Sequence, residues 1–403
     1  MWPLVAALLL LPQGDWSAQG LKALEEGRWA EAAEALEKAV AAHPDDYAAI
    51  FNLSYAQAML GKRDAAIAGY EKVLALKPGL YQAQLNLGIL LLEAKQPARA
   101  VSVLRAAAEQ EPGKFQPHYY LAEALYALAD DAGAEQHYRK AAELDPKSAV
   151  TQIGLGRALA NQAKFDEALE AYRRAVGLDP AYRDYLIELA TRLEEKGESE
   201  RAMALYREFP ERPEARERLG NLLLKAGRVD EAIPHLEAAV KASPTAANRF
   251  ALAMAYLKSK RSAEAEPLLE QAVRERPDSF ELRMAYGRLL RDLRRFPAAA
   301  AEFQAAARIE PQSKEAWSEL AGVLVLAENH PPALAALGKL EALDPNNAGL
   351  YFLRAIILDK SKQYEPALAS YEKFLALSHG AHPDEEFQAR QRLKVIRKEL
   401  NRR

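Results

Sequence analysis

The chain of 403 residues has no cysteine. That absence excludes disulfides, thiolate zinc sites, thiol nucleophiles, c-type haem attachment and cysteine-held iron–sulfur clusters. It leaves the compartment open, because a cysteine-free chain is stable in oxidising and reducing surroundings alike. A dominant charge is missing too. The 54 Lys and Arg against 57 Asp and Glu leave a net charge of −3, too near neutral for a protein whose main task is gripping phosphate backbones. No low-complexity tract interrupts the chain, and no Gly-Lys-Ser/Thr phosphate loop occurs in it. What remains is half hydrophobic, dominated by Ala and Leu, with only 20 Gly and 22 Pro. That is the composition of a helical protein.

The N-terminus carries one apolar run, Leu4 to Leu11, after Met1-Trp2-Pro3. It is too short to span a bilayer but has the length of a signal-peptide core. No Lys or Arg precedes it, and Ser17-Ala18 behind bulky Trp16 is the best cleavage site available. The bland reading is a segment packed on the first structural unit. Residues 1–12 are read as a signal-like segment, which favours export (periplasmic or secreted) over a cytoplasmic place.

Prolines then provide a ruler. Pro44, Pro78, Pro112, Pro146 and Pro180 stand 34 residues apart, and Pro244, Pro277, Pro311 and Pro345 continue at 33, 34 and 34. This is the period of a helix–turn–helix repeat. Twelve residues before each proline stands an alanine: Ala32, Ala66, Ala100, Ala134, Ala168, Ala232, Ala265, Ala299 and Ala333. The same register gives Ala202 and Ala367 where the proline is lacking. Twenty-four residues before it every residue is small, from Gly20, Ser54, Gly88 and Ala122 to Ala321 and Ala355. Eight before it every residue is large, as in Leu36, Tyr70, Leu104, Tyr138, Tyr172 and Phe303. Two antiparallel helices that cross closely need small residues at the crossing and a bulky one beside it.

Asn86-Leu87-Gly88, Asp166-Glu167-Ala168 with Tyr172, Ala175 and Pro180, and Asp344-Pro345-Asn346-Asn347 resemble the tetratricopeptide repeat. The likeness extends over about nine-tenths of the chain. It implies an all-α, right-handed superhelical solenoid of about eleven tetratricopeptide-type repeats with a C-terminal capping helix, about 23 helices in all. The expected layout is repeats one to five over 13–182, a short repeat six over 183–212, repeats seven to eleven over 213–381 and the capping helix over 382–403. Repeat six is about one helical turn short, from which a local change of superhelical pitch is expected. Gly27, Gly61, Gly197 and Gly227 suit left-handed turns between the paired helices. In the last helix, Leu393, Ile396 and Leu400 form a one-sided apolar stripe that should cover the open end of repeat eleven.

No motif of the chain carries a recognisable reaction chemistry. Gly154-Leu155-Gly156 is the small-residue site of a repeat, since no strand precedes it. His379-x-x-His382 followed by Asp384 is the one metal-like spacing, and it lacks the four ligands of a structural zinc. Glu25-Glu26 and Glu194-Glu195 read as solvated helix surface. No catalytic residue, metal or cofactor is assigned, and no segment is left over to house a catalytic domain. The carboxylate-clamp pattern of some relatives of this repeat is not met either: Phe51 and Tyr55 stand where its basic and second Asn residues would be.

The leading functional reading is a non-enzymatic scaffold that takes a partner peptide or helix in a groove lined by the first helices. The rivals are an RNA-binding helical-hairpin repeat protein and a regulatory subunit of an enzyme complex. Net charge and the small–large pattern argue against nucleic acid. In this kind of repeat one stripe of each first helix lines the groove. In repeats two to four it reads Phe51, Tyr55 and Met59, then Leu85, Ile89 and Leu92, then Tyr119, Glu123 and Tyr126. In repeats six, seven and nine it carries Asp184, Glu194, Glu217, Arg288 and Arg291 instead. The apolar members, Phe51, Tyr55, Met59, Leu85, Ile89, Leu92, Tyr119 and Tyr126, are the expected partner-binding residues. The alternative is that they are consumed by packing between successive first helices.

Overall fold

Helical hairpins follow one another along the chain in a computed structural model that describes residues 15–401. The apolar segment 1–12 lies outside the described residues. Twenty-three α-helices run from Asp15–Glu25 to Pro383–Leu400, with no strand among the described residues. They follow one another as eleven consecutive helix pairs plus a final single helix. Each second helix also packs on the first helix of the following repeat, within each unit described below. Ala- and Leu-rich stretches favour the helical state, and several first helices are capped by a side chain. Asp46 accepts from the backbone N–H groups of Ala48 and Ala49 at 2.9 and 3.1 Å. Ser148, Ser279, Ser313 and Asn347 accept in the same way at theirs. These caps satisfy donors that a helix start leaves unpaired.

The crossing inferred from residue spacing is present in three dimensions. All eleven alanines of the register have no exposure, and the bulky residues beside them are between 0% and 3% exposed. The glycines show how tight the approach is. A Cβ added at Gly20 would lie 2.5 Å from Leu36, at Gly88 2.4 Å from Leu104, at Gly156 2.5 Å from Tyr172 and at Gly287 2.7 Å from Phe303. Gly154 and Gly156 thus lie inside the helix Ala149–Asn161, each against a tyrosine ring.

The turn inside each hairpin holds one left-handed residue. Gly27, Gly61, Gly197 and Gly227 take it with φ between +70° and +80°, as the sequence suggests. The other seven repeats use Lys95, Ala129, Ala163, Lys260, Arg294, Glu328 and Lys362, with φ between +55° and +60°. A side chain there carries a cost that glycine avoids, and the hydrogen-bonded turn imposes the conformation regardless. Ala129→Gly and Ala163→Gly are each expected to raise unfolding stability by roughly 0.5–1 kcal/mol, and Gly61→Ala to lower it by about as much. Urea unfolding midpoints check the signs.

Repeat six departs from the rest. A 3₁₀ turn, Pro180–Arg183, precedes its first helix, Asp184–Glu195. Its second helix, Ser199–Tyr206, has 8 residues where the other repeats have 14 or 15. The chain divides there into two compact units, one ending at Leu205 and the other starting at Tyr206. In the second unit the final helix closes the stack: Ala389, Leu393 and Ile396 are buried in one cluster with Tyr371 and Phe374. Arg392 adds two bonds of 2.7 Å to Asp359. Glu386 accepts from Ser378 Oγ and from the Gly380 N–H, both at 2.6 Å, and so holds the turn that leads into this helix.

Candidate functional site

In the first unit successive first helices touch directly: Tyr81–Glu93 touches Phe115–Ala127, which touches Ala149–Asn161, which in turn touches Asp184–Glu195. Their outward stripes therefore adjoin, and the helix Tyr47–Met59 joins them through Arg63–Leu76, which packs on both it and Tyr81–Glu93. The eight residues expected there divide into two groups. Phe51, Leu85 and Ile89 are fully enclosed, which corrects the expectation that they meet a partner. Phe51 is turned onto the ring of Tyr70, with centroids 5.3 Å apart, edge to face. Leu85 and Ile89 belong to a helix covered on three sides, by Arg63–Leu76, Pro97–Gln110 and Phe115–Ala127. Tyr55, Met59, Leu92, Tyr119 and Tyr126 are half-buried and present part of each side chain to solvent.

Repeats four to six add residues that spacing did not single out. Tyr182 in the 3₁₀ turn and Tyr185 in the following helix lie 6.0 Å apart, and Tyr185 stacks on Tyr172 at 5.8 Å. Arg157 sits over the Tyr185 ring, 5.0 Å from its centroid. Tyr119 contacts Phe115, Tyr120 and Tyr138 at 5.5, 5.2 and 6.3 Å. Glu123 lies among them and accepts from the Tyr138 hydroxyl at 2.6 Å. Burial pushes its carboxyl above the usual range, against the tyrosine bond and the charge of Arg157, which act the other way. Along the chain the stripe of repeat six shows only charge, at Asp184 and Glu194. The signal for an aromatic contribution was the pair of tyrosines in Pro180-Ala181-Tyr182-Arg183-Asp184-Tyr185, which lies outside the regular register.

A titratable pair sits beside this surface. His118 Nδ1 is 3.1 Å from His137 Nδ1, and His118 Nε2 is 3.1 Å from the Pro112 carbonyl. The carbonyl can only accept, so His118 Nε2 donates to it, and one proton lies between the two Nδ1 atoms. Burial lowers the pKa of each, helped at His137 by His118 and Arg105 and at His118 by Lys140; the Pro112 carbonyl and Asp130 act in the opposite sense. A histidine depressed in the folded state leaves fewer protons bound there than in the unfolded chain. Stability is therefore full above the unfolded pKa and is lost as pH falls below about 6.5. Urea midpoints are expected to drop between pH 7.5 and 5.5, and the drop to shrink in His137→Asn.

Among the described residues no group of three or more His, Asp or Glu side chains gathers as a metal site would need. None of their helices is long and apolar enough to cross a membrane. In the second unit an outer cleft of about 460 Å³ is lined by residues that include Pro297, Ala300, Trp317, Leu320 and Pro332.

Stacked helical hairpins with a small–large crossing in every repeat define a helical repeat protein of the solenoid class. The chain belongs to the tetratricopeptide repeat family, whose models match residues 17–81, 91–150, 153–209, 223–289, 256–322 and 348–378. It is similar to anaphase-promoting complex subunit 3 of Schizosaccharomyces pombe, 26% identical over 122 residues, which are 30% of this chain and 18% of that protein. The chain thus matches under a fifth of that relative's length. Among solved structures it is similar to MamA (41-end) from Desulfovibrio magneticus RS-1, at 24% identity and a TM-score of 0.40, over 42% of this chain and 97% of that one. It is also similar to Naa15/Naa10 bound to HypK-THB, at 15% identity and a TM-score of 0.44, over 96% of this chain and 79% of the other.

Proposed function

We propose that the chain is a non-enzymatic scaffold that docks a partner protein on the surface formed by the first helices of repeats two to six. The observation that carries this is the row of half-buried aromatic and apolar side chains, Tyr55, Met59, Leu92, Tyr119 and Tyr126, extended by Tyr182 and Tyr185. Tyrosine and methionine left partly exposed along adjoining helices offer large contact area at low entropic cost, and such residues anchor interfaces. An apolar or aromatic segment of the partner fits this surface. Phe51, Leu85 and Ile89 support it from below as packing.

The test is recovery of binding partners with the full chain, followed by Tyr55→Ala combined with Tyr119→Ala. Partners should be lost while the helical signal is retained. Capture unchanged by the double substitution would place the binding surface elsewhere. Titration with single-stranded RNA separates the rival reading, since steep salt-dependent binding would favour nucleic acid.

A further inference from the structure

The outer cleft of repeats nine and ten has walls made by the helices Phe296–Ile309 and His330–Leu343 and a floor made by Lys314–Leu326. Leu320 and Leu324 lie at the bottom, 4% and 7% exposed. Trp317 stands half-buried beside them, and its Nε1 donates to the Pro311 carbonyl at 2.9 Å. That bond satisfies the indole and fixes the ring where it lines the cleft. Of the described side chains lining it, only Lys339 is charged. The equivalent cleft of repeats four and five, about 480 Å³ in volume, is lined instead by Arg139, Glu143 and Arg174, each held in an ion pair. The repeat register shows the origin of the difference. On this face repeats one and five carry the pairs Glu34–Lys38 and Glu170–Arg174, at 2.8 and 2.6 Å. At the same two places repeat nine has Ala301 and Ala305, and repeat ten has Ala335 and Lys339. Lys339 therefore lacks the carboxylate one turn earlier that its counterparts have.

Backbone chemistry limits what can fill this cleft. Its walls are helices whose peptide groups are bonded internally, so it offers no strand edge, and among the described side chains lining it only Gln304 and Asn329 are amides. An extended segment would bury peptide groups with too few partners, whereas a helix arrives with its own satisfied. We infer that the cleft is a second docking site, which takes an amphipathic helix of a partner protein. The helix lays bulky apolar side chains over Trp317, Leu320 and Leu324, and an acidic residue at one end of its face reaches Lys339. A second copy of the chain is a poor source of such a helix. Phe387 and Val395 are exposed on one helix, at 62% and 44%, but Lys394 and Lys398 share their face and would bring cations to a cleft whose one charge is already positive. The site is built from other residues than the surface of repeats two to six and stands independently of it.

Blocked peptides of about 15 residues, long enough to form a helix, with a fixed polar face and a randomised opposite face, are to be selected on the full chain. The chain carries Tyr55→Ala and Tyr119→Ala, so that the other surface does not compete. Selected sequences should place apolar residues at one helical face with an acid at one end. Ala301→Glu and Ala335→Glu replace exposed side chains and should leave the helical signal unchanged. Each should weaken binding about tenfold or more by setting a charge against the apolar face. Changing the peptide's acid to its amide should cost about two- to fivefold, as for an ion pair at an exposed rim, and the difference should vanish in Lys339→Gln. No selected helix, helices indifferent to both glutamates, an acid preference that survives in Lys339→Gln, or selected peptides that bind without helical signal would overturn the inference. So would a dimer of the chain that Ala335→Glu dissolves, because a second copy would then cover the cleft.

Discussion

Tyr138→Ala is expected to lower the stability of repeats four and five by about 3–5 kcal/mol, the range for removing a large buried aromatic side chain. The ring is 1% exposed and fills two spaces at once. It is the bulky residue beside Ala134 in its own hairpin, and it lies where a Cβ on Gly154 of the next repeat would come within 2.4 Å of it. Its loss opens a cavity at the join of two repeats and takes from Glu123 a donor at 2.6 Å. Tyr138→Phe keeps the packing and isolates the hydroxyl, for which roughly 1–3 kcal/mol is expected because a partly buried carboxylate loses one of its two tyrosine donors, Tyr119 being the other. Gly154→Ala should destabilise by crowding the same ring. Gly177→Ala, where nothing lies within 4 Å, should be neutral or stabilising. Chemical unfolding gives the magnitudes, and hydrogen exchange should place the loss in repeats four and five first. A drop of less than about 1 kcal/mol for Tyr138→Ala would mean that the helices close over the gap.

Removing the last helix from Pro383 onward should unfold repeat eleven at conditions where repeat eight is intact. Leu393 and Ile396 are 7% and 0% exposed, and burying side chains of that size is worth about 1.5–3 kcal/mol each. Deletion gives up that burial and exposes the face of Phe374 beneath it. Stability in a stack of repeats is a sum of nearest-neighbour terms, so the loss should decay with distance along the stack. Hydrogen exchange resolved by repeat tests this, and uniform loss of protection through the second unit would contradict it. Glu386→Gln separates the helix's anchor from its apolar face. It removes the charge that accepts from Ser378 and Gly380 and pairs with Arg390 at 2.7 Å. It should loosen the turn at His379 and Gly380 with a smaller loss than the deletion.

Most of the fold was legible in the sequence because close helix crossing imposes itself on residue size. An alanine at every crossing and a Leu, Tyr or Phe four residues later survive as a pattern, since a larger side chain would overpack the pair and a smaller one would leave a void. The hairpins and the short repeat six follow from that constraint together with the proline period, and the capping helix from the apolar stripe of Leu393 and Ile396. The left-handed turn was visible only where glycine marks it. At Ala129, Ala163 and Lys95 the surrounding hydrogen bonds force the conformation on residues that give no sign of it.

The surface was decided by the tertiary structure. Phe51 and Tyr55 stand one helical turn apart and read as one stripe, yet Phe51 is enclosed against Tyr70 and Tyr55 is half-open. A stripe on a single helix does not reveal how far its neighbours extend over it. Leu85 and Ile89 are lost to the core for that reason, in a helix covered on three sides. The place of Arg157 beside Tyr172 and Tyr185 is equally invisible along the chain. It depends on the irregular 3₁₀ turn that brings repeat six against repeat five.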